Sequence, residues 1–209
     1  MLGFGPDDVE SVAAVFRDVC VINVDDGIAF EAGSVKTAEI RKEARYGGVR
    51  VELRATLDGA QLSLQIDIGF GDVVTPAPET VSYPVLLDDL PGPTLRAYPK
   101  YTVVAEKFQA LCALGMANSL MKDYFDLWML LRDGGLDDAE LVRAVQARFT
   151  RRRTALPEGV PAGLSDAFAS DAGKLSQWRA FVSKNKLSAT ALGDLVQALR
   201  AEFQRLKIV

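Results

Sequence analysis

The chain has 209 residues, 49% of them apolar and 25% charged, the balance of an ordinary globular protein rather than a disordered one. At this length folding buries ~70% of the unfolded surface, so neither a disulfide nor a structural metal is needed. With 28 acidic side chains against 24 basic ones the net charge is -4, which argues against a binder held to nucleic acid mainly by electrostatics. There is no histidine. That removes Ser-His-Asp and Cys-His catalysis, imidazole metal sites and imidazole acid–base chemistry, and leaves carboxylates, lysine, arginine and hydroxyls. Cys20 and Cys112 sit far apart in apolar runs and read as buried, reduced thiols. The opening MLGFGPDDVE has neither the basic region nor the apolar stretch of a signal peptide. No apolar run is long enough to span a membrane, so the expectation is a cytoplasmic protein.

Taken in chain order, Gly5-Pro6-Asp7-Asp8 reads as a helix start, with proline in the first helical position and acids at the positive end of the dipole. The predicted helix, Asp7–Asp18, carries an apolar stripe of Val9, Val12, Ala13 and Phe16. The run Val19–Val24 reads as a buried strand, and Ile28–Glu31 and Ser34–Thr37 as two short ones. The clearest signal is a hairpin. Val49, Val51, Leu53, Ala55 and Leu57 alternate with polar residues, Asp58-Gly59 supplies the turn, and Leu62, Leu64, Ile66 and Ile68 return on one face. Ser63, Gln65 and Asp67 then share the other face, which is expected to stay open while the apolar one meets helices. Between Thr75 and Pro99 the prolines forbid long regular elements, and a short strand is expected at Val85–Leu87.

Everything after Thr102 reads as helical. Helices are predicted around Val104–Cys112, Leu120–Leu131, Asp137–Phe149, Ser165–Asp171, Ser176–Lys184 and from Ser188 onward. The result is a β-rich part, residues 1–100, followed by a helical part, residues 101–209.

Chemistry has few places to sit. Asp67 lies on the open strand face, Lys107 on the first C-terminal helix, and Lys122, Asp123 and Asp126 on the second. Asp123 and Asp126 share a helix face, and Lys122 can pair with Asp126 four residues on. Spacing by itself leaves two readings open: a site, or solvated helix surface with Asp67 paired to a neighbouring arginine. The only basic run is Arg148, Arg151, Arg152 and Arg153. It suits an RNA backbone, and equally a helix C-terminus.

Several segments occur in a telling order: Gln65-Ile66-Asp67-Ile68-Gly69-Phe70-Gly71-Asp72, then Tyr98-Pro99, then Val104-Ala105-Glu106-Lys107-Phe108-Gln109-Ala110, then Met121-Lys122-Asp123-Tyr124-Phe125-Asp126-Leu127-Trp128. Together they resemble the AbiEii/AbiGii toxin family of nucleotidyltransferases, of the polymerase-β-like superfamily. The resemblance implies an α+β fold: a mixed, largely antiparallel sheet with helices on one face, followed by a C-terminal helical bundle. It implies a toxin of a type IV toxin–antitoxin system that uses Mg²⁺ and a nucleoside triphosphate to modify tRNA or another acceptor, with a cognate antitoxin. Asp67 then corresponds to the later acidic strand position and metal ligand. Lys107 corresponds to the lysine that reaches the triphosphate, and Asp123 or Asp126 to the acid of the Lys-Asp-x-x-Asp-Leu motif. Lys107, Lys122, Arg148, Arg151 and Arg152 would face substrate.

Those residue types suit nucleotidyl transfer, which needs oxygen-ligated metal at the α-phosphate and a cation for the departing pyrophosphate. One feature of the family pattern does not occur in these 209 residues. The family carries a Gly-Gly or Gly-Ser turn and an Asp-x-Asp pair ahead of the segment that resembles Leu2-Gly3-Phe4-Gly5. Here the paired acids are adjacent (Asp7-Asp8, Asp25-Asp26, Asp88-Asp89, Asp137-Asp138), which puts them on opposite sides of a strand. The expectation is therefore little or no transfer by the chain as it stands. A catalytically inactive remnant, acting only as a binding protein, is the alternative.

Overall fold

The computed structural model describes residues 1–40, 48–71, 74–86, 91–188 and 190–209. Contacts divide the chain into two compact units, Met1–Asp72 and Val73–Val209.

The first unit is built on the hairpin. Strand β4 (Gly48–Leu57) and β5 (Ala60–Phe70) pair antiparallel through ten residues, from Leu57 opposite Ala60 to Gly48 opposite Gly69. Asp58 and Gly59 both take positive φ (45° and 82°), the turn geometry whose twist matches the strands it joins. Around this hairpin lie β1 (Leu2–Gly3), β2 (Ile28–Phe30) and β3 (Lys36–Ile40). The sheet order is β1-β5-β4-β2, with β3 also on β4; only β1, parallel to β5, breaks the antiparallel pattern. Helix α1 (Val9–Cys20) covers the apolar face, and Val12, Ala13 and Cys20 pack with Val49, Val51, Leu53 and Ile68.

Two sequence expectations about this unit need correction. Pro6 does not open the helix. Asp8 caps it, its carboxylate accepting from the Ser11 amide at 2.8 Å, so α1 begins at Val9 and runs on to Cys20. The expected buried strand Val19–Val24 is no strand: Val19 and Cys20 finish α1, and Val21, Ile22 and Val24 lie exposed in the turn that follows. Ala32–Ser34 forms a 3-10 turn between β2 and β3. The return strand is also covered unevenly, since Ile68 is buried while Leu62 is exposed.

The second unit opens with a two-stranded ribbon, β6 (Glu79–Ser82) and β7 (Thr94–Ala97), in antiparallel register. The short strand expected at Val85–Leu87 is therefore displaced. Val85 and Leu86 are irregular and exposed, and Leu87 lies outside the described residues. Then come α2 (Lys100–Leu114), α3 (Met121–Arg132), α4 (Asp138–Arg152), α5 (Asp166–Ser170), α6 (Ala172–Lys184) and α7 (Leu192–Arg205). This is the helical bundle that the periodicities predict, with Gly115 capping α2 at positive φ and Asp137 capping α4. Among the described residues no helix is long and apolar enough to cross a membrane.

Helix α2 sits at the centre of the bundle. Its Val104, Phe108 and Leu111 are fully buried, and the Phe108 ring stacks on Phe203 of α7 at 4.0 Å and meets Phe149 of α4 at 5.7 Å. Phe108→Ala should destabilise the protein by about 3–5 kcal/mol, the cost of an unfilled aromatic cavity in a packed core. Denaturant unfolding checks this, as a lower midpoint at unchanged slope.

Candidate functional site

The helical unit gathers four of the predicted residues. Lys107 leaves α2 two turns after its start and reaches the first turns of α3. There its ammonium donates to the Asp123 carboxylate in a short contact and to Asp126 at 2.9 Å. Asp126 takes a second ammonium from Lys122 at 2.5 Å, one helical turn back on α3. Two positive and two negative charges thus alternate in one cluster. Lys107 keeps 16% of its side-chain exposure while Lys122 keeps 71%, so Lys107 is the sheltered cation of the cluster and Lys122 the solvated one.

The electrostatics follow from this placement. Burial by itself pushes the Lys107 ammonium down, but the hydrogen bonds and charges of Asp123 and Asp126 outweigh it and hold the group above the ordinary lysine range. Burial likewise raises Asp126, and the contacts of Lys122 and Lys107 outweigh that and hold its carboxyl below the ordinary range. At neutral pH both Lys107 and Asp126 are charged.

Asp67 belongs to the first unit. The two-residue turn at 58–59 sets Leu57 against Ala60 and, seven rungs outward, Arg50 against Asp67. The guanidinium closes both carboxylate oxygens, Nε to Oδ1 at 2.8 Å and the terminal nitrogen to Oδ2 at 2.9 Å. The same polar face holds a concavity of about 640 Å³ lined by Lys36, Glu52, Arg54, Ser63 and Gln65 among others, with Arg54 paired to Glu31 at 3.2 Å.

The basic run divides. Arg148 is buried on α4 and pairs with Glu106 of α2 at 3.1 Å. Arg151 is exposed and Arg152 half-buried in the last turn, and Arg153 caps the helix at φ 50°. Sequence reasoning missed Arg50 and Glu106 as named partners. Arg50 was within reach, because the turn position fixes the hairpin register. Glu106 was not, since nothing local relates α2 to α4.

Among the described residues no group of three or more carboxylates or thiols stands close enough to hold a metal ion. Asp67 offers one carboxylate, already closed by Arg50, and one ligand cannot organise a Mg²⁺ pair that asks for six oxygens at each ion. The residues described do not by themselves fit that cofactor.

A family model described as "Nucleotidyl transferase AbiEii toxin, Type IV TA system" matches residues 1–204. No curated protein and no solved structure matches the chain.

Both shifts in the cluster carry a sign for stability. The folded Asp126 carboxyl titrates below 3.8, so its contribution is present above that value and is lost as pH falls through the lower, folded one. The folded Lys107 titrates above 10.5, so its contribution is present below that value and is lost as pH rises through the higher one. Lys107→Met should therefore melt below the parent protein through the neutral range, and the gap should close in acid as Asp126 protonates. Melting temperature against pH for both proteins checks this. A gap that persists in acid would mean that the lysine stem, not its charge, holds α2 to α3.

Proposed function

Because this chain belongs to the nucleotidyl transferase AbiEii toxin family of type IV toxin–antitoxin systems, we propose that it binds a nucleoside triphosphate at the Lys107 cluster and serves to move a nucleotide to tRNA or another acceptor. In such a transfer an acceptor hydroxyl attacks the α-phosphorus, the bond from that phosphorus to its bridging oxygen breaks, and pyrophosphate leaves with the electron pair. The observation that carries the reading is the half-sheltered ammonium of Lys107, held charged by two carboxylates within the motif order that marks the family. A cation kept fixed and poorly hydrated is what stabilises charge growing on a leaving pyrophosphate. Triphosphate oxygens would compete with Asp123 and Asp126 for the ammonium, and Lys122 would keep Asp126 neutralised as they do so.

Asp67, both of whose oxygens are engaged by Arg50, takes no part in that binding. Arg151 and Arg152 would meet acceptor phosphates, while Arg148 stays engaged with Glu106 and positions α2 against α4. Membership of a toxin–antitoxin family also implies a cognate antitoxin.

The second reading, a protein that binds without turnover, is favoured by one observation: both oxygens of Asp67 are already satisfied by Arg50. Two measurements test these readings. In titrations with each triphosphate at a temperature where both proteins are folded, Lys107→Ala should weaken binding by ~1–3 kcal/mol, the scale of a lost charge-assisted contact. Unchanged binding beside a lowered melting temperature would make the cluster structural. Label transfer from triphosphate to tRNA by these 209 residues should be weak or absent. Robust transfer that Asp67→Ala abolishes would overturn that expectation.

A further inference from the structure

A buried polar corner beside the Lys107 cluster decides where the acids of that cluster stand. Helix α3 begins without a capping side chain, since Leu120 at its N-cap makes no such bond. Asn118, in the turn that follows α2, supplies the bond two residues early: its Oδ1 accepts from the Leu120 amide at 2.9 Å. Asn118 is 1% exposed, and its Nδ2 is buried with no partner among the described residues. Its main-chain carbonyl accepts from the Lys174 ammonium of α6 at 2.8 Å.

Lysine is an unexpected residue for that place. Lys174 is 8% exposed, and lysine is rarely so buried without an acid beside it. Among the described residues no carboxylate pairs with it; its ammonium has the Asn118 carbonyl and the Phe168 ring, 5.4 Å from the centroid. It is the third residue of α6, where a cation opposes the helix dipole. A charge there favours neither its own helix nor the core around it. What the charge reaches is the start of α3. From that point the bonds continue to α2: the Leu120 amide donates to Asn118, the Asp123 amide donates to the Leu120 carbonyl at 2.9 Å, and the Lys107 ammonium donates to the Asp123 carboxylate.

We propose that Lys174 is a positioning residue for Lys107: from α6 it holds the first turn of α3 so that Asp123 stays where it fixes the ammonium. Asp123 and Asp126 stand one turn apart on α3, so a shift of that turn moves both acids that face Lys107. Lys174 acts only through Asn118 and reaches none of the cluster itself. Its effect on triphosphate binding rests on the reading of Lys107 as the triphosphate lysine. Its hold on the ammonium does not.

The test follows the Lys107 ammonium of the full chain by NMR, through the exchange of its protons with water, and titrates each protein with the four nucleoside triphosphates. Lys174→Met should speed that exchange and weaken triphosphate binding, each by about three- to tenfold, the range of coupling carried through a packed network. Asn118→Ala should do the same, while Asn118→Asp, which keeps the accepting oxygen, should behave like the parent. In a Lys107→Ala background Lys174→Met should weaken binding no further. Ile208→Ala, a loss of buried apolar volume past the end of α7, should lower the melting temperature and change neither readout. The inference falls if Lys174→Met, or Asn118→Ala should that variant not fold, lowers the melting temperature and leaves the exchange unchanged. It falls also if Ile208→Ala speeds the exchange equally. Triphosphate binding that depends on Lys107 and not on Lys174 removes the positioning role and leaves the transfer reading standing. Faster exchange in variants of a protein that binds no triphosphate supports Lys174 as the hold on the ammonium and removes the transfer reading.

Discussion

Helix α2 is enclosed by the helices of its own bundle, and that enclosure obliges most of its sheltered polar side chains to find a partner. The apolar ridge Val104, Phe108 and Leu111 packs toward α4 and α7. The polar residues between these positions cannot all turn to bulk water. Glu106 meets Arg148 of α4, Lys107 meets Asp123 and Asp126 of α3, and Thr102 donates to the Thr75 carbonyl at 2.9 Å. Each pairing ties a neighbouring element to the helix. Gln109, the other buried polar residue of α2, lines a cavity of the helical unit.

The same logic explains why the Lys107 cluster is charged and not neutral. A lone lysine with so little exposure would lose its proton more easily, and a lone aspartate there would hold its own more tightly. Two of each, alternating across α2 and α3, compensate one another. The arrangement preserves a cation at a sheltered position without stranding a charge in the core. Asp67 sits differently. Its pair with Arg50 is half-exposed on an open strand face, where an ion pair contributes only ~0.2–1 kcal/mol. A ligand that draws either partner away therefore disturbs the fold little.

Where local pattern and burial agree, the sequence was easy to read. Val49–Leu57 and Leu62–Ile68 alternate around Asp58-Gly59, and the observed register follows, with Val51 opposite Ile66 and Leu53 opposite Leu64. The α2, α3 and α7 stripes behave likewise. Val19–Val24 misled because a short apolar run carries no period long enough to separate strand from helix end, and apolarity does not guarantee burial. Val85–Leu87 misled for a related reason: among prolines, β-branched residues also line irregular chain. The ribbon formed instead at Glu79–Ser82 and Thr94–Ala97, whose pairing is non-local.

By itself the sequence determined the α+β class, the hairpin with Asp67 on its polar face, the helical order of the second half, and the absence of any imidazole chemistry. These depend on period, turn residues and composition, all local quantities. The order of four motifs along the chain also carried the family, since spacing is preserved however the elements pack. The Lys122–Asp126 pair was legible too, being four residues apart on one helix. Tertiary structure alone decided that Lys107 reaches across to Asp123 and Asp126, that Arg148 turns inward to Glu106, and that Gln109 lines a cavity. Those outcomes depend on which helix lies beside α2 and at what rotation. That rotation is set by packing Phe108 against Phe149 and Phe203, residues 41 and 95 positions away, and no local periodicity encodes it.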